Sequence, residues 1–250
     1  MKLSNIIYKI VAVLLALCAW QAAAHFTNLP ILLPSPLDVL EGFVSIWKGQ
    51  MFAVNIITTF DNIVSGFLWG FFAAAFFAVL AGRFRIIREL LWPYMITIKS
   101  VPVASFIIIA LLWISTDDLS GFISFLMVFP IVYNNILEGY KSIDQKKIEV
   151  AKVFGIPFHK QLIYIYLPEM KPFIISACST SFGLAWKSGV AAEFIALPFN
   201  SIGEQLYYSK IYFESVDLFS WTLILVVISF AFEKLMVGAI KLLYMGVEKL

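Results

Sequence analysis

The chain has 250 residues, of which 61% are hydrophobic and only 14% charged, whereas charged residues approach about a quarter of a soluble domain. That balance excludes an ordinary soluble domain and marks an integral membrane protein. The net charge of +2 is spread without a basic patch interleaved with aromatics, which excludes a nucleic-acid partner.

Cys18 and Cys178 both lie in apolar runs, and His25 and His159 are isolated. Neither a disulfide framework nor a metal site is expected from them.

The chain opens with Lys2, Lys9 and an apolar run from about Ile6 to Ala24 that ends in three alanines and His25. A positive start, an apolar middle and small residues before His25 fit a cleaved signal peptide. The run is also long enough to span a bilayer, and an uncleaved first helix is the reading adopted. The loop from Phe26 to Gln50 carries Leu33-Pro34-Ser35-Pro36. Pro36 is placed to begin a helix with Ser35 as its cap, and Leu37 to Trp47 reads as an amphipathic helix on the extracytoplasmic membrane surface.

Met51 to Gly82 exceeds one perpendicular span of about 20 residues, so it tilts or protrudes. Asn55, Thr58, Thr59, Asp61 and Asn62 fall in its first third, and Gly66 with Gly70 forms a pair that lets another helix approach closely. Arg83, Arg85 and Arg88 mark the next turn as cytoplasmic. A third span is predicted from about Leu91 to Ile114, broken by Pro93 and Pro102 with Lys99 and Ser100 between them. Thr116 to Ser120 reads as an acidic turn, and a fourth span reaches from about Leu119 to Leu137. A polar stretch follows, then a fifth span over Pro172 to Ile195 and a sixth over Asp217 to Met236.

This layout puts Lys2, Lys9, Arg83, Arg85, Arg88, Lys141, Lys146, Lys147, Lys152, Lys160, Lys171, Lys234, Lys241 and Lys249 on one side, and only Lys48 and Lys210 on the other. The rule that positive loops stay inside then places both termini and the Glu149 stretch in the cytoplasm.

Within the polar stretch, Ser142 to Phe154 carries apolar residues at Ile143, Ile148, Ala151 and Phe154 between Asp144, Lys146, Lys147, Glu149 and Lys152, a helical period. Gly155 supplies a permissive backbone where that helix ends, with Pro157 just beyond. A second helix leads through Leu162 to Pro168. The result is a blunt knob with Phe154, Ile156 and Phe158 near its tip, suited to a groove in a soluble partner. The plain alternative is a solvated loop between two membrane helices.

Glu149, Ala151, Gly155, Ile165, Leu167 and Pro168 also fall at the spacing of the EAA motif: EAA, three residues, Gly, nine residues, then I-x-L-P. Val150 is the one departure, standing where the motif has Ala. The stretch resembles the coupling loop of permease subunits of ATP-binding-cassette (ABC) importers. The Pro34-Ser35-Pro36 segment and its helix are similar to the sulfonate, taurine and nitrate branch of that family.

The resemblance implies an all-α integral membrane protein of six transmembrane helices, the small type I permease fold with a cytoplasmic coupling helix. The domain is single over 1–250, with 1–50 the N-terminal and surface helices, 51–250 the core and 139–170 the coupling loop. It implies a cell-membrane importer subunit that is not itself an enzyme. The implied partners are two ABC ATPase subunits, a second permease copy forming a homodimer, and an extracytoplasmic substrate-binding protein. The coupling residues are Glu149, Ala151, Phe154, Gly155, Phe158, Leu167 and Pro168. No catalytic residue is expected, and with no G-x-x-x-x-G-K-[ST] phosphate loop in the chain, ATP is left to the partner. The branch points to a small polar solute, with an anion as the suggested class.

The translocation path is read from costly residues. A charge at mid-membrane costs about 2.5 to 3.5 kcal/mol on insertion scales, and Lys187 would stand roughly 22 Å along the fifth span at about 1.5 Å per residue. Lys187 and Trp186 therefore line the path and contact substrate, or Lys187 pairs with a carboxylate such as Asp61, or it snorkels outward. Asp61, Lys99 and Glu193 complete the candidate set. Ala177, Ser181, Ala185, Gly189 and Glu193 recur every fourth residue as a packing ribbon. A self-sufficient secondary transporter or channel remains the alternative, which predicts repeats and paired broken helices around a midplane site.

Overall fold

A computed structural model describes residues 2–247 of the chain, with side chains over 7–242. Met1, Lys249 and Leu250, and the side chain of Lys2, lie outside the described residues, so they leave the placement of the termini as a sequence expectation. The described residues form helices and no strand.

The first helix, α1 (Lys2–Thr27), contacts little but α2 (Pro36–Lys48), and its Trp20 indole donates to the Pro34 carbonyl at 3.1 Å. Ser35 caps α2 in a reciprocal box: its hydroxyl accepts from the Asp38 amide, and the Asp38 carboxylate accepts from the Ser35 amide at 3.0 Å. Pro36 then takes the first helical position, where its missing N–H costs nothing. The buried face of α2, Val39 and Gly42, lies on the C-terminal helix α11 (Ser215–Val247), where the Ser220 hydroxyl donates to the Val39 carbonyl at 2.9 Å.

The bundle core is built on α6 (Thr116–Ser142), which packs along both α3 (Phe52–Arg83) and α9 (Leu167–Ala196) in the two most extensive helix pairings among the described residues. Gly66 and Gly70 set the α3–α6 approach. A Cβ on Gly66 would collide with the Gly121 carbonyl, and one on Gly70 would lie 3.0 Å from the Phe125 carbonyl. The predicted ribbon of Ala177, Ser181, Ala185, Gly189 and Glu193 is buried throughout. It faces the same crossing: a Cβ on Gly189 would meet Ile63 and Ser124, and the Ser124 hydroxyl donates to the Ala185 carbonyl at 3.1 Å. Close backbones let dispersion and interhelical hydrogen bonds act where lipid supplies no hydrophobic drive.

Several boundaries differ from the sequence expectation. The acidic turn at Thr116 to Ser120 is the first turn of α6, capped by Ser115, whose hydroxyl accepts from the Asp118 amide at 3.3 Å. Asp117 and Asp118 sit there because a helix N-terminus attracts negative charge. The predicted third span is two helices, α4 (Arg85–Ser100) and α5 (Val103–Ala110), bent by 104°. Pro93 is absorbed inside α4, whereas Pro102 holds Val101 extended at φ −84°, ψ 132°, and the helix ends there.

Among the described residues four helices are long and apolar enough to cross a membrane, and the bent pair brings the number to five if it forms one span. The six-span count is not reproduced on this basis. The predicted fifth span lies in α9, whose serines, Lys187 and Glu193 make it too polar to qualify even though its small-residue face is enclosed by α3 and α6. One helix was not anticipated: α10 (Ile202–Ile211), between α9 and α11, capped by Ser201.

Candidate functional site

The polar stretch folds as a knob. Asp144 caps α7 (Gln145–Val153) by accepting from the Lys146 amide at 2.9 Å. The helix starts later than the periodicity suggested, because Ser142 ends α6 and Ile143 turns inward as a buried anchor. Ile148 and Ala151 are buried beneath α7.

At the other end, Gly155 adopts φ +63°. The Ile156 amide donates back to the Ala151 carbonyl at 2.9 Å and the Gly155 amide to the Lys152 carbonyl at 3.1 Å. These two bonds close the helix by a left-handed C-terminal cap of the kind glycine favours. The Gln161 side-chain amide then donates to the Ile156 carbonyl at 2.7 Å and fixes the return.

The chain returns through α8 (Phe158–Gln161) and a π-helical segment (Leu162–Tyr166) that runs without interruption into α9. The Leu167 amide bonds to the Leu162 carbonyl, five residues back. Pro168 has no N–H to donate and would crowd the preceding turn of a regular helix, which accounts for the widened turn before it.

The predicted coupling residues separate into three places. Phe154 and Phe158, 77% and 67% exposed, flank Gly155 at the tip, with Val150 and Val153 also open. Glu149 is exposed on the side of the knob, while Ala151 is buried and packs α7 down. Leu167 and Pro168 are half-buried at the root. Apolar side chains standing free on a helix that also carries Lys146, Glu149 and Lys152 have no lipid-facing rationale.

The sequence reading missed the brace at that root. Lys147 pairs with Glu169, whose other carboxylate oxygen accepts from the Asp144 amide at 3.4 Å. A hydrogen bond to the Glu169 carboxylate, and then its charge, hold the Lys147 ammonium above the usual lysine value. A group raised in the folded state contributes fully below its ordinary pKa and loses that contribution as pH rises through the raised one. The brace is therefore complete at neutral pH. The only sequence hint was Glu169 directly after Pro168.

The candidate path residues do not converge. Trp186 and Lys187 share a groove of about 440 Å³ between α9 and α11, beside Thr222, Ser229, Phe230 and Glu233. Lys187 is exposed there, and the three described ion pairs, Arg85–Glu89, Arg88–Glu89 and Lys147–Glu169, do not include it. The expected alternative of a Lys187–Asp61 pair is thus not formed, and Asp61 lies exposed on α3. Trp186 is buried, with no partner for its indole N–H. Lys99 is exposed in the last turn of α4, just before the bend.

Glu193 is enclosed in the protein and reaches no open surface. One carboxylate oxygen accepts from the Thr59 hydroxyl at 2.8 Å and the Gly203 amide at 3.2 Å, and Thr59 in turn accepts from the Ile202 amide at 2.9 Å. Two otherwise unpaired amides at the start of α10 are satisfied this way. Glu193→Gln should keep these contacts, while Glu193→Ala should cost about 1 to 3 kcal/mol. Thermal unfolding in detergent checks this, and equal midpoints for the two variants would contradict it.

Residues 66–240 match the model of a family described as binding-protein-dependent transport system inner membrane component. A probable ABC transporter permease protein of Brucella melitensis is 27% identical over 190 residues, covering 76% of this chain and 77% of the relative. A putative aliphatic sulfonates transport permease protein of Bacillus subtilis is 29% identical, covering 64% of this chain and 59% of its own length. The taurine transport system permease protein of Escherichia coli is 26% identical, covering 71% and 66%.

Proposed function

The chain belongs to the binding-protein-dependent transport system inner membrane components, and from that premise we propose that it is the membrane-spanning subunit of an ATP-driven importer, coupled to a separate ATPase through the knob at 149–168. The observation that carries this reading is the exposed aromatic tip at Phe154 and Phe158, set by Gly155 and joined through one continuous helical path to α9. Movement of an ATPase groove around the tip would rock α9, which packs along α6 in the core, and open the pathway to one side at a time. Two ATPase subunits, a second copy of the chain and an extracytoplasmic binding protein would complete the machine. Both termini would be cytoplasmic, and the whole of 1–250 would act as one permease domain, with 51–250 as its core.

The test is crosslinking. A Phe154→Cys variant made in a Cys18→Ser background and treated with a short thiol-to-amine crosslinker should join the chain to a soluble partner ATPase through a lysine of the ATPase. Absence of any such product, with the cysteine shown to be reactive, would count against the reading.

The names of the sulfonate and taurine relatives support a small organic anion as solute. Lys187, exposed beside Trp186 in its groove, is the residue we assign to that charge, with Asp61 and Lys99 as further path candidates. Because Lys187 takes part in none of the described ion pairs, Lys187→Met should give normal folded yield with uptake reduced about tenfold, the scale of a lost charge-assisted hydrogen bond. Uptake equal to the parent protein would remove Lys187 from the path.

A secondary transporter would need its broken helices in a matched pair around a midplane site. Among the described residues the α4–α5 bend is a single instance.

A further inference from the structure

Behind the knob lies a cavity of about 430 Å³, formed where the end of α3, the end of α6, α7, α8 and the π-helical segment meet. Arg83 and Lys152 reach it from opposite elements, Tyr140, Tyr166 and Gln145 supply polar groups, and Phe158 closes one side. No carboxylate lines it. Neither Arg83 nor Lys152 takes part in the ion pairs found among the described residues.

The two tyrosine rings are 6.1 Å apart, and Phe158 stands 6.1 Å from Tyr166. Burial and the neighbouring Tyr140 push the Tyr166 hydroxyl up, and the nearby Arg83 guanidinium opposes that rise. Two cations facing a concave space with no anion of their own focus a positive potential there. The size suits a small ligand, and a guanidinium fork matches the oxygens of a tetrahedral anion.

We propose that this cavity binds an oxyanion, a phosphate or sulfonate group held between Arg83 and Lys152, and that the bound anion ties the knob to the bundle. Arg83 ends a core helix and Lys152 sits on the knob helix, so one ligand bridges the two bodies whose relative position matters for coupling. The same chemistry is offered by a phospholipid headgroup and by a free organic or inorganic anion. This site stands on its own geometry, and its test reads binding, so it succeeds or fails separately from the transport reading.

The test uses the full chain purified in a non-ionic detergent, with inorganic phosphate, methanesulfonate and dihexanoylphosphatidylglycerol as probes in calorimetric titrations. At least one probe should bind. The double variant Arg83→Gln, Lys152→Gln should weaken it by about tenfold or more, the scale of losing charge-assisted contacts. Lys160→Gln, on an exposed residue outside the cavity, should change nothing. Binding of the lipid probe alone identifies a headgroup, and binding of the free anions as well identifies a soluble ligand. Should the double variant not purify as a single species, Gln145→Glu places a carboxylate in the cavity with both bases kept, and should abolish binding. Failure of all three probes to bind, or full binding by the variants, overturns the proposal.

Discussion

Gly155→Val is expected to leave the protein in the membrane at near-normal level and to abolish ATP-driven uptake. Nothing lies within 4 Å of a Cβ built at this position, so a clash cannot be the cause. The cause is the backbone. Gly155 holds φ +63°, a conformation that costs an ordinary L-residue about 1 to 2 kcal/mol and a β-branched one more. That is small against the stability of the bundle but large for one turn of an exposed knob. The turn would relax to negative φ, the bonds from Ile156 to Ala151 and from Gly155 to Lys152 would be lost, and the exposed Phe154 and Phe158 would be redirected. A graded series is expected: Gly155→Asn near the parent protein, because Asn tolerates this region, Gly155→Ala intermediate and Gly155→Val inactive. Uptake and stimulated ATP hydrolysis, measured against membrane abundance, check the order. Full activity in the Val variant would mean that the knob's shape does not matter.

Gly66→Val is expected to have the opposite profile, with folded yield collapsing rather than coupling. A Cβ here would press on the Gly121 backbone carbonyl, which has no rotamer by which to yield. Overpacking of this kind costs about 1 to 3 kcal/mol and occasionally more, and the α3–α6 crossing would have to separate along its length to relieve it. Gly183→Ala is the matched control, since nothing lies within 4 Å of its Cβ and Ala favours a helix. Detergent-solubilised yield and thermal midpoint should fall sharply for the first variant and not for the second. Equal behaviour would show that the crossing tolerates a wider spacing.

These two glycines also show what the sequence made legible. Both follow local rules, one a glycine between an amphipathic helix and a proline, the other a four-residue repeat in an apolar run, and local rules need no knowledge of the partner surface. The capped surface helix at Ser35 and Pro36 was legible for the same reason. What stayed hidden was whatever depended on a distant neighbour. α9 reads as an ordinary span until its small-residue face is seen against α3 and α6. Glu193 reads as a path residue because a lone carboxylate in an apolar run suggests function. Its true surroundings, Thr59 from α3 and the amides that begin α10, come from segments 134 and 10 residues away. The Lys147–Glu169 brace was hidden because two charges in a polar stretch do not declare their pairing. The bend at Val101 was half-visible: two prolines were seen, but only the fold distinguishes Pro93, tolerated within α4, from Pro102, which ends it.

The central claim is that this chain moves its solute only when a separate ATPase works on the knob. Purified protein in sealed proteoliposomes tests it most directly, with uptake of the radiolabelled solute of its cognate binding protein followed with and without the partner ATPase, ATP and that binding protein. The account predicts no uptake and no ATP turnover by the chain alone, ATP-dependent uptake by the complete set, and loss of that uptake with Gly155→Val. Uptake by the chain alone, driven by an ion gradient, would contradict it.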